Sequence, residues 1–132
     1  MVEVYTDGSC INLGPGGWAF IMIIGDIEYH VSSNNPKTTN NRMELQAVIE
    51  ALSFVPDESS PPLSLKIYTD SKLVLHCAKG DWKRKANLDL WERYDIVSKG
   101  KIIEWVWVKG HDGNRYNELV DKLAREQAMS VY

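Results

Sequence analysis

Apolar residues recur along this chain in two patterns, short runs and a helical spacing, and the short runs predict the strands. Short β-branched and aromatic runs bounded by Gly, Pro, Asn or Asp are typical of β-strands. Five such runs occur, at residues 2–6, 18–24, 27–32, 63–69 and 102–108. The pair Gly25-Asp26 predicts a tight hairpin turn between the second and third strands. We therefore expect the first three strands to form an antiparallel meander.

Apolar residues at helical spacing predict the remaining elements. The first helix is expected to begin at a cap on Thr39 or Asn40 and to end at Pro56. A short helix capped by Ser71 should follow the fourth strand, and two more are expected at about 88–97 and 114–128. The order βββαβααβα predicts an α/β fold in which helices flank a mixed five-stranded sheet. A chain of 132 residues fits one domain, here residues 1–132.

Four acidic residues stand where the pattern predicts apolar or turn residues. Asp7 and Asp70 each follow a predicted strand, at the sheet edge where α/β proteins gather their functional groups. Glu44 and Asp121 fall in line with the apolar stripes of the first and last helices. We therefore expect these four carboxylates to converge.

The acids also have a purely structural interpretation. Asp after a strand often forms a turn or caps a helix. A buried acid can instead pair with a cation, because an unpaired buried charge costs several kcal/mol. We expect no such pairing, since the cations adjacent in sequence are predicted to point away from the stripes. They are Arg42, Lys122 and Arg125.

Converging carboxylates require positive charge. Two carboxylates ~4 Å apart repel by about 4 kcal/mol at an effective dielectric of ~20. A ligand set made only of oxygen atoms suits Mg²⁺ or Mn²⁺, and two such ions can activate water against a phosphodiester. The residues thus predict metal-assisted phosphoryl hydrolysis.

Composition adds limits on location and partners. The chain is 44% hydrophobic and 25% charged, an ordinary balance for a soluble domain. No apolar run of about 18 residues and no signal-peptide pattern occurs, so we expect a cytoplasmic protein that does not contact a membrane. Cys10 and Cys77 lack metal-site spacing and are expected to be free thiols. The formal charge of −3 leaves nucleic-acid binding to local cations such as those of 79–85.

Four ordered motifs resemble type 1 ribonuclease H, along essentially the whole chain. They are Tyr5-Thr6-Asp7-Gly8-Ser9-Cys10, Thr38-Thr39-Asn40-Asn41-Arg42-Met43-Glu44-Leu45, Tyr68-Thr69-Asp70-Ser71, and Val106-Trp107-Val108-Lys109-Gly110-His111 with Asn117-Glu118 and Asp121-Lys122-Leu123-Ala124-Arg125. The resemblance implies an endonuclease that cuts the RNA strand of RNA/DNA hybrids and leaves a 5′-phosphate. It also implies that Asp7, Glu44, Asp70 and Asp121 bind two Mg²⁺ ions, for which Mn²⁺ can substitute.

The same resemblance implies roles for other polar residues. His111 would move protons or assist product departure; without the resemblance it would be an exposed loop histidine. Asn12, Asn40 and Asn41 would contact the minor groove and separate RNA from DNA, or else serve as caps and turn residues. A DNA phosphate would be held by Lys37, Thr39 and Asn87.

One region departs from the family pattern. Many members carry a long basic helix and loop, called the handle, where this chain has only residues 79–86. Substrate grip then depends on Lys83, Arg84 and Lys85. Trp82 is expected to anchor this short loop, and the other four tryptophans are expected to be packing residues. They are Trp18, Trp91, Trp105 and Trp107.

Two other functions remain open from the sequence. A catalytically silent hybrid-binding domain could keep the fold, although such a domain is expected to lose an acid and none is missing. Another nuclease of the same fold group could share the carboxylates, although the segment 38–45 and the motif around His111 favour ribonuclease H. We expect the protein to be a monomer.

Overall fold

The computed structural model describes residues 1–12, 14–56, 61–110 and 114–131. Five strands and four helices make up this part of the chain. In chain order they are β1 (Val2–Cys10), β2 (Gly16–Ile24), β3 (Ile27–Asn35), α1 (Asn40–Phe54), β4 (Ser64–Thr69), α2 (Lys72–Lys79), α3 (Leu88–Ser98), β5 (Ile102–Trp107) and α4 (Arg115–Met129).

The strands form one mixed sheet in the order β3-β2-β1-β4-β5. The pairs β1–β2 and β2–β3 are antiparallel, whereas β4 is parallel to both β1 and β5. The predicted α/β fold with its antiparallel meander is therefore confirmed. Strand β1 lies at the centre, between β2 and β4.

Strand β1 is longer than the apolar pattern predicts. Its parallel pairing with β4 ends at Tyr5, opposite Tyr68, but its antiparallel pairing with β2 continues to Cys10. Asp7 and Gly8 therefore lie inside the strand, and the prediction that they begin a loop was wrong. Pairing with β2 overrides the turn preference of Asp-Gly, since β2 itself extends back to Gly16.

Side-chain caps fix where three of the helices begin. Thr39, rather than Asn40, caps α1 by accepting a hydrogen bond from the Arg42 amide. Ser71 and Asn114 do the same for α2 and α4. These caps determine where each helix starts relative to its acidic residue.

The two faces of the sheet bury separate apolar clusters. Helices α1 and α3 pack with one face, where Val4, Phe20 and Ile67 join the larger cluster. Helix α4 covers the other face over a smaller cluster that includes Tyr5, Ile21 and Val120. Among the described residues, no helix is both long enough and apolar enough to cross a bilayer.

Helix α4 approaches the sheet closely at a glycine. A Cβ atom on Gly17 would collide with backbone atoms of Ala124 and Ala128. The absence of a side chain at Gly17 therefore allows α4 to lie close to β2.

We predict that Gly17→Ala lowers the free energy of unfolding by about 1–3 kcal/mol, because backbone atoms cannot move aside as a flexible side chain would. Denaturant unfolding measures this change. Ser33→Ala, on exposed β3, is the control and should stay within about 0.5 kcal/mol of the wild type. A Gly17→Ala protein as stable as this control would contradict the prediction.

Candidate active site

Three of the four predicted acids meet at one point in the structure. Asp7 on β1, Glu44 on α1 and Asp70 at the end of β4 each place a carboxylate oxygen within 4.8 Å of the other two. Asp7 and Glu44 are only 3% and 6% exposed, and Asp70 is half-buried. The cluster therefore opens to solvent on the Asp70 side.

Sheet topology and one glycine bring these acids together. Strands β1 and β4 run parallel and adjacent, so Asp7 and Asp70 lie at the same end of the sheet. A Cβ atom on Gly8 would collide with backbone atoms of Met43 and Glu44, so only glycine lets α1 come this close to β1. Sequence reasoning missed this role of Gly8, which depends on a contact between distant segments.

A single backbone amide connects two of the acids. The Gly8 N–H donates to Oε1 of Glu44 at 2.5 Å and lies 2.9 Å from Oδ1 of Asp7. One donor therefore fixes the position of both carboxyl groups. It supplies partial positive charge but does not neutralise them.

Burial raises the pKa of both buried acids. The pKa of Asp7 rises to about 7, mainly because burial disfavours its charged form and secondly because Asp70 and Asp121 are negative. The pKa of Glu44 is raised well above its ordinary value by burial, by a hydrogen bond with Asp7 and by the charge of Asp7. At neutral pH the metal-free pair therefore retains at least part of a proton.

Asp121, the fourth acid, lies at the edge of this cluster. It lines a small depression together with four other described residues, which are Asp70, Gly110, Asn117 and Glu118. Its Oδ2 accepts from Nε of Arg125 at 3.0 Å, one helical turn further along α4. The prediction that Arg125 points away from Asp121 was wrong, because residues four apart share a helix face.

The other two neighbouring cations behave as predicted, since Lys122 pairs with Glu126 at 3.8 Å. Arg42 forms two hydrogen bonds to Asp89, at 2.7 and 3.0 Å, and not to Glu44. Among the described residues, no cation forms an ion pair with Asp7, Glu44 or Asp70. The negative charge of the three-acid cluster is thus left for a ligand or a proton to neutralise.

His111 lies outside the described residues. The preceding residue, Gly110, is described and borders the cluster, since a Cβ atom there would lie 3.4 Å from Oδ2 of Asp70. Gly110 therefore lies beside Asp70.

Five of the six predicted substrate-binding residues lie at the start of α1 or contact it. Thr39 and Asn87 both contact Arg42: the Thr39 hydroxyl accepts from its amide and Oδ1 of Asn87 accepts from Nη1 at 3.3 Å. Asn41 and Asn87 line one groove with a volume of about 150 Å³. Lys37 and Asn40 are exposed, the first just before α1 and the second as its first residue. Asn12 is exposed in the connection between β1 and β2.

The short basic segment places two lysines at that groove that form no ion pair with any described residue. Arg84 is held by two 2.8 Å bonds to Asp95 and stacks on Trp91, so its role is structural. Lys83 and Lys85 are exposed and line the groove. Trp82 stacks on His76 at 4.4 Å yet remains 46% exposed, so it anchors the loop with one face only.

Trp107 does not follow the packing prediction. Its side chain is 43% exposed, and its Nε1 donates to the backbone carbonyl of Asp70 at 3.1 Å. The ammonium of Lys72 lies 4.6 Å from the centre of the indole ring. Trp107 thus holds the backbone of Asp70 in place. This contact joins β5 to the residue after β4, and the apolar pattern of the sequence does not reveal it.

Comparisons with known proteins agree on one family. The sequence model described as RNase H matches residues 1–129. A Ribonuclease H of Rhodopseudomonas palustris (strain TIE-1) is 42% identical, over 95% of this chain and 87% of its own length.

Two solved structures give the same result for the fold. LC9-RNase H1, described as a type 1 RNase H with the type 2 active-site motif, has a TM-score of 0.81 at 32% identity and covers 99% of this chain and 73% of its own. LC11-RNase H1, solved in complex with RNA/DNA hybrid, has a TM-score of 0.78 at 20% identity and covers 96% and 98% of the two chains.

The raised pKa of Asp7 predicts how stability depends on pH in the metal-free protein. From pH 4 to about 7 the folded state retains a proton that the unfolded chain, with a pKa near 3.8, has released. Stability should therefore fall as pH rises through this range. Asp7→Asn cannot ionise, so in chelator at pH 8 it should melt about 5 °C or more above the wild type, and this gain should shrink at pH 5.

Thermal melts followed by circular dichroism at both pH values test this. Asp26→Asn makes the same chemical change in the exposed β2–β3 turn and should melt like the wild type. If Asp7→Asn melted below the wild type at pH 8, the carboxylate would be stabilising the fold and the expected repulsion would be absent.

Proposed function

This chain belongs to the RNase H family, and from that premise we propose that Asp7, Glu44, Asp70 and Asp121 form the metal centre with which it hydrolyses the RNA strand of RNA/DNA hybrids. The protein is an endoribonuclease of the hydrolase class. The observation that carries the residue assignment is the meeting of three carboxylates within 4.8 Å, with no ion pair to any of them among the described residues.

The donor set fits Mg²⁺, with Mn²⁺ as a substitute. All ligand atoms are carboxylate oxygens, which suit hard divalent cations and not zinc or copper. The raised pKa values of Asp7 and Glu44 reflect charge that a cation would neutralise in place of a proton. Two such ions would activate water and stabilise the charge that develops on the leaving oxygen.

The chain itself supplies rigid orientation. Asp7 lies within a central strand, and Glu44 is fixed by the Gly8 amide, so neither carboxylate needs to reorganise when substrate binds. Asp70 and Asp121 lie on the open side, where a phosphodiester can approach. We assign His111 to proton transfer or product release, as its motif implies. One chain supplies all four acids, which supports a monomeric enzyme.

Hybrid binding follows the exposed polar residues around α1. We assign Asn12, Asn40 and Asn41 to the minor groove, where amides can bond 2′-hydroxyl groups and base edges. Lys37, Thr39 and Asn87 are assigned to a phosphate of the DNA strand, with Lys83 and Lys85 adding positive charge at the adjoining groove. The hybrid bound by LC11-RNase H1 supports this choice of substrate. A cytoplasmic location remains a prediction from the sequence.

We predict that Asp70→Asn lowers the rate of hybrid cleavage at least about a hundredfold, or roughly 3 kcal/mol in transition-state free energy, because it removes a ligand charge with little change in shape. Cleavage of a labelled hybrid in Mg²⁺ measures the rate. Asp26→Asn is the matched control and should keep wild-type activity. Full activity of Asp70→Asn would exclude the proposed centre.

Substrate choice is tested by presenting the four nucleic acids separately. We expect cleavage of the RNA strand of the hybrid and none of duplex DNA, since only RNA offers the 2′-hydroxyl groups that the amides would bond. Duplex RNA and single-stranded RNA should be cut far more slowly. Asp70→Asn protein prepared in parallel reveals any contaminating nuclease. Equal cutting of hybrid and duplex RNA would contradict the assigned recognition.

A further inference from the structure

The acids of the proposed centre differ in whether a cation pairs with them. Asp7 and Glu44 are buried, and among the described residues neither they nor Asp70 form an ion pair. Asp121 is more accessible, with 25% of its side chain exposed, and pairs with Arg125. Arg125 is the one cation that forms an ion pair with any of the four, as far as the described ranges extend.

We propose that Arg125 is a positioning residue that holds Asp121 in the metal-free protein and competes with divalent cations for it. This inference rests on the proposed function, since it concerns the same centre. Asp121 is the acid that lies outside the 4.8 Å cluster, and its Oδ2 is the atom that Arg125 engages. Arg125 thus lowers metal affinity and makes occupancy depend on the cation concentration.

The geometry makes the competition direct and reversible. The Nε–Oδ2 distance of 3.0 Å places a full positive charge next to a proposed ligand atom, so any cation bound there is repelled by the guanidinium. Arg125 has 59% of its side chain exposed, and surface pairs one helical turn apart are weak. A divalent cation can therefore displace the arginine into solvent without disturbing the core.

The same helix offers a control with equal charge. Lys122 follows Asp121 directly but pairs with Glu126 at 3.8 Å, and its side chain is 66% exposed. Removing its charge alters the net charge of α4 as much as removing that of Arg125. Only Arg125 contacts the proposed ligand.

Calorimetric titration of Mn²⁺ and Mg²⁺ into substrate-free protein tests the inference. Arg125→Gln should bind the cation about tenfold more tightly than the wild type, on the scale by which residues behind a metal ligand alter affinity. Lys122→Gln should change affinity less than about twofold, since its charge is exposed, screened by solvent and paired with Glu126. Arg125→Lys keeps the charge and should remain near the wild type.

Melting temperature gives a second readout that needs no activity. Without metal, Arg125→Gln should melt below the wild type because Asp121 has lost its counter-charge, and Mg²⁺ should raise its melting temperature by more than in the wild type.

Weaker cation binding by Arg125→Gln would overturn the inference, since the arginine would then orient Asp121 for the metal. So would an affinity equal to that of Lys122→Gln. Absence of metal binding in the wild type would instead overturn the proposed function.

Discussion

Negative charge buried without a cation is the constraint on which this structure depends. Asp7 and Glu44 lie almost wholly inside the protein, and their described polar support is a shared backbone amide from Gly8. Placing two carboxyl groups together in a poorly hydrated site is unfavourable, so the pair takes up a proton or binds a cation. The sheet and α1 tolerate this because their apolar contacts on either side are extensive. The fold thus holds two carboxyl groups in fixed positions whose charge a proton or a bound cation must offset, and such fixed positions are what the proposed metal-assisted catalysis requires.

Much of this arrangement could be predicted from the sequence, because periodicity reports burial. Apolar spacing located each strand and helix, and the Gly25-Asp26 turn predicted the antiparallel meander, whereas the full strand order was not predicted. The same spacing marked Glu44 as an acid in an apolar stripe, which is the signal that led to the site. Asp121 was found in the same way, although it lies partly exposed at the edge of the cluster.

What could not be predicted depends on contacts between distant segments. The Asp-Gly pair of β1 has the composition of a turn, yet pairing with β2 keeps it in the strand, with Asp7 opposite Ala19 and Gly8 opposite Trp18. The close approach of α1 at Gly8 and of α4 at Gly17 exists only after folding, and a glycine in a sequence does not reveal which segment will pack against it. The ion pair of Arg125 was missed for another reason. Apolar spacing indicates only which residues face the core. Asp121 lies at the margin of the apolar stripe of α4, where a residue four positions away can reach it.

The contrast between the buried and the marginal acids has a consequence for how the centre would fill. A proton on the Asp7–Glu44 pair and the guanidinium on Asp121 occupy different ligands, so they oppose metal binding independently and respond to different conditions. A proton on Asp7 is lost as pH rises through its raised pKa of about 7, whereas the arginine stays charged and yields only to a competing cation. Cation uptake by the inner pair would therefore depend on pH, and uptake at Asp121 on cation concentration and ionic strength. An ion held by Asp7 and Glu44 would then be the one more strongly fixed by the fold, and an ion shared with Asp121 the one more readily exchanged.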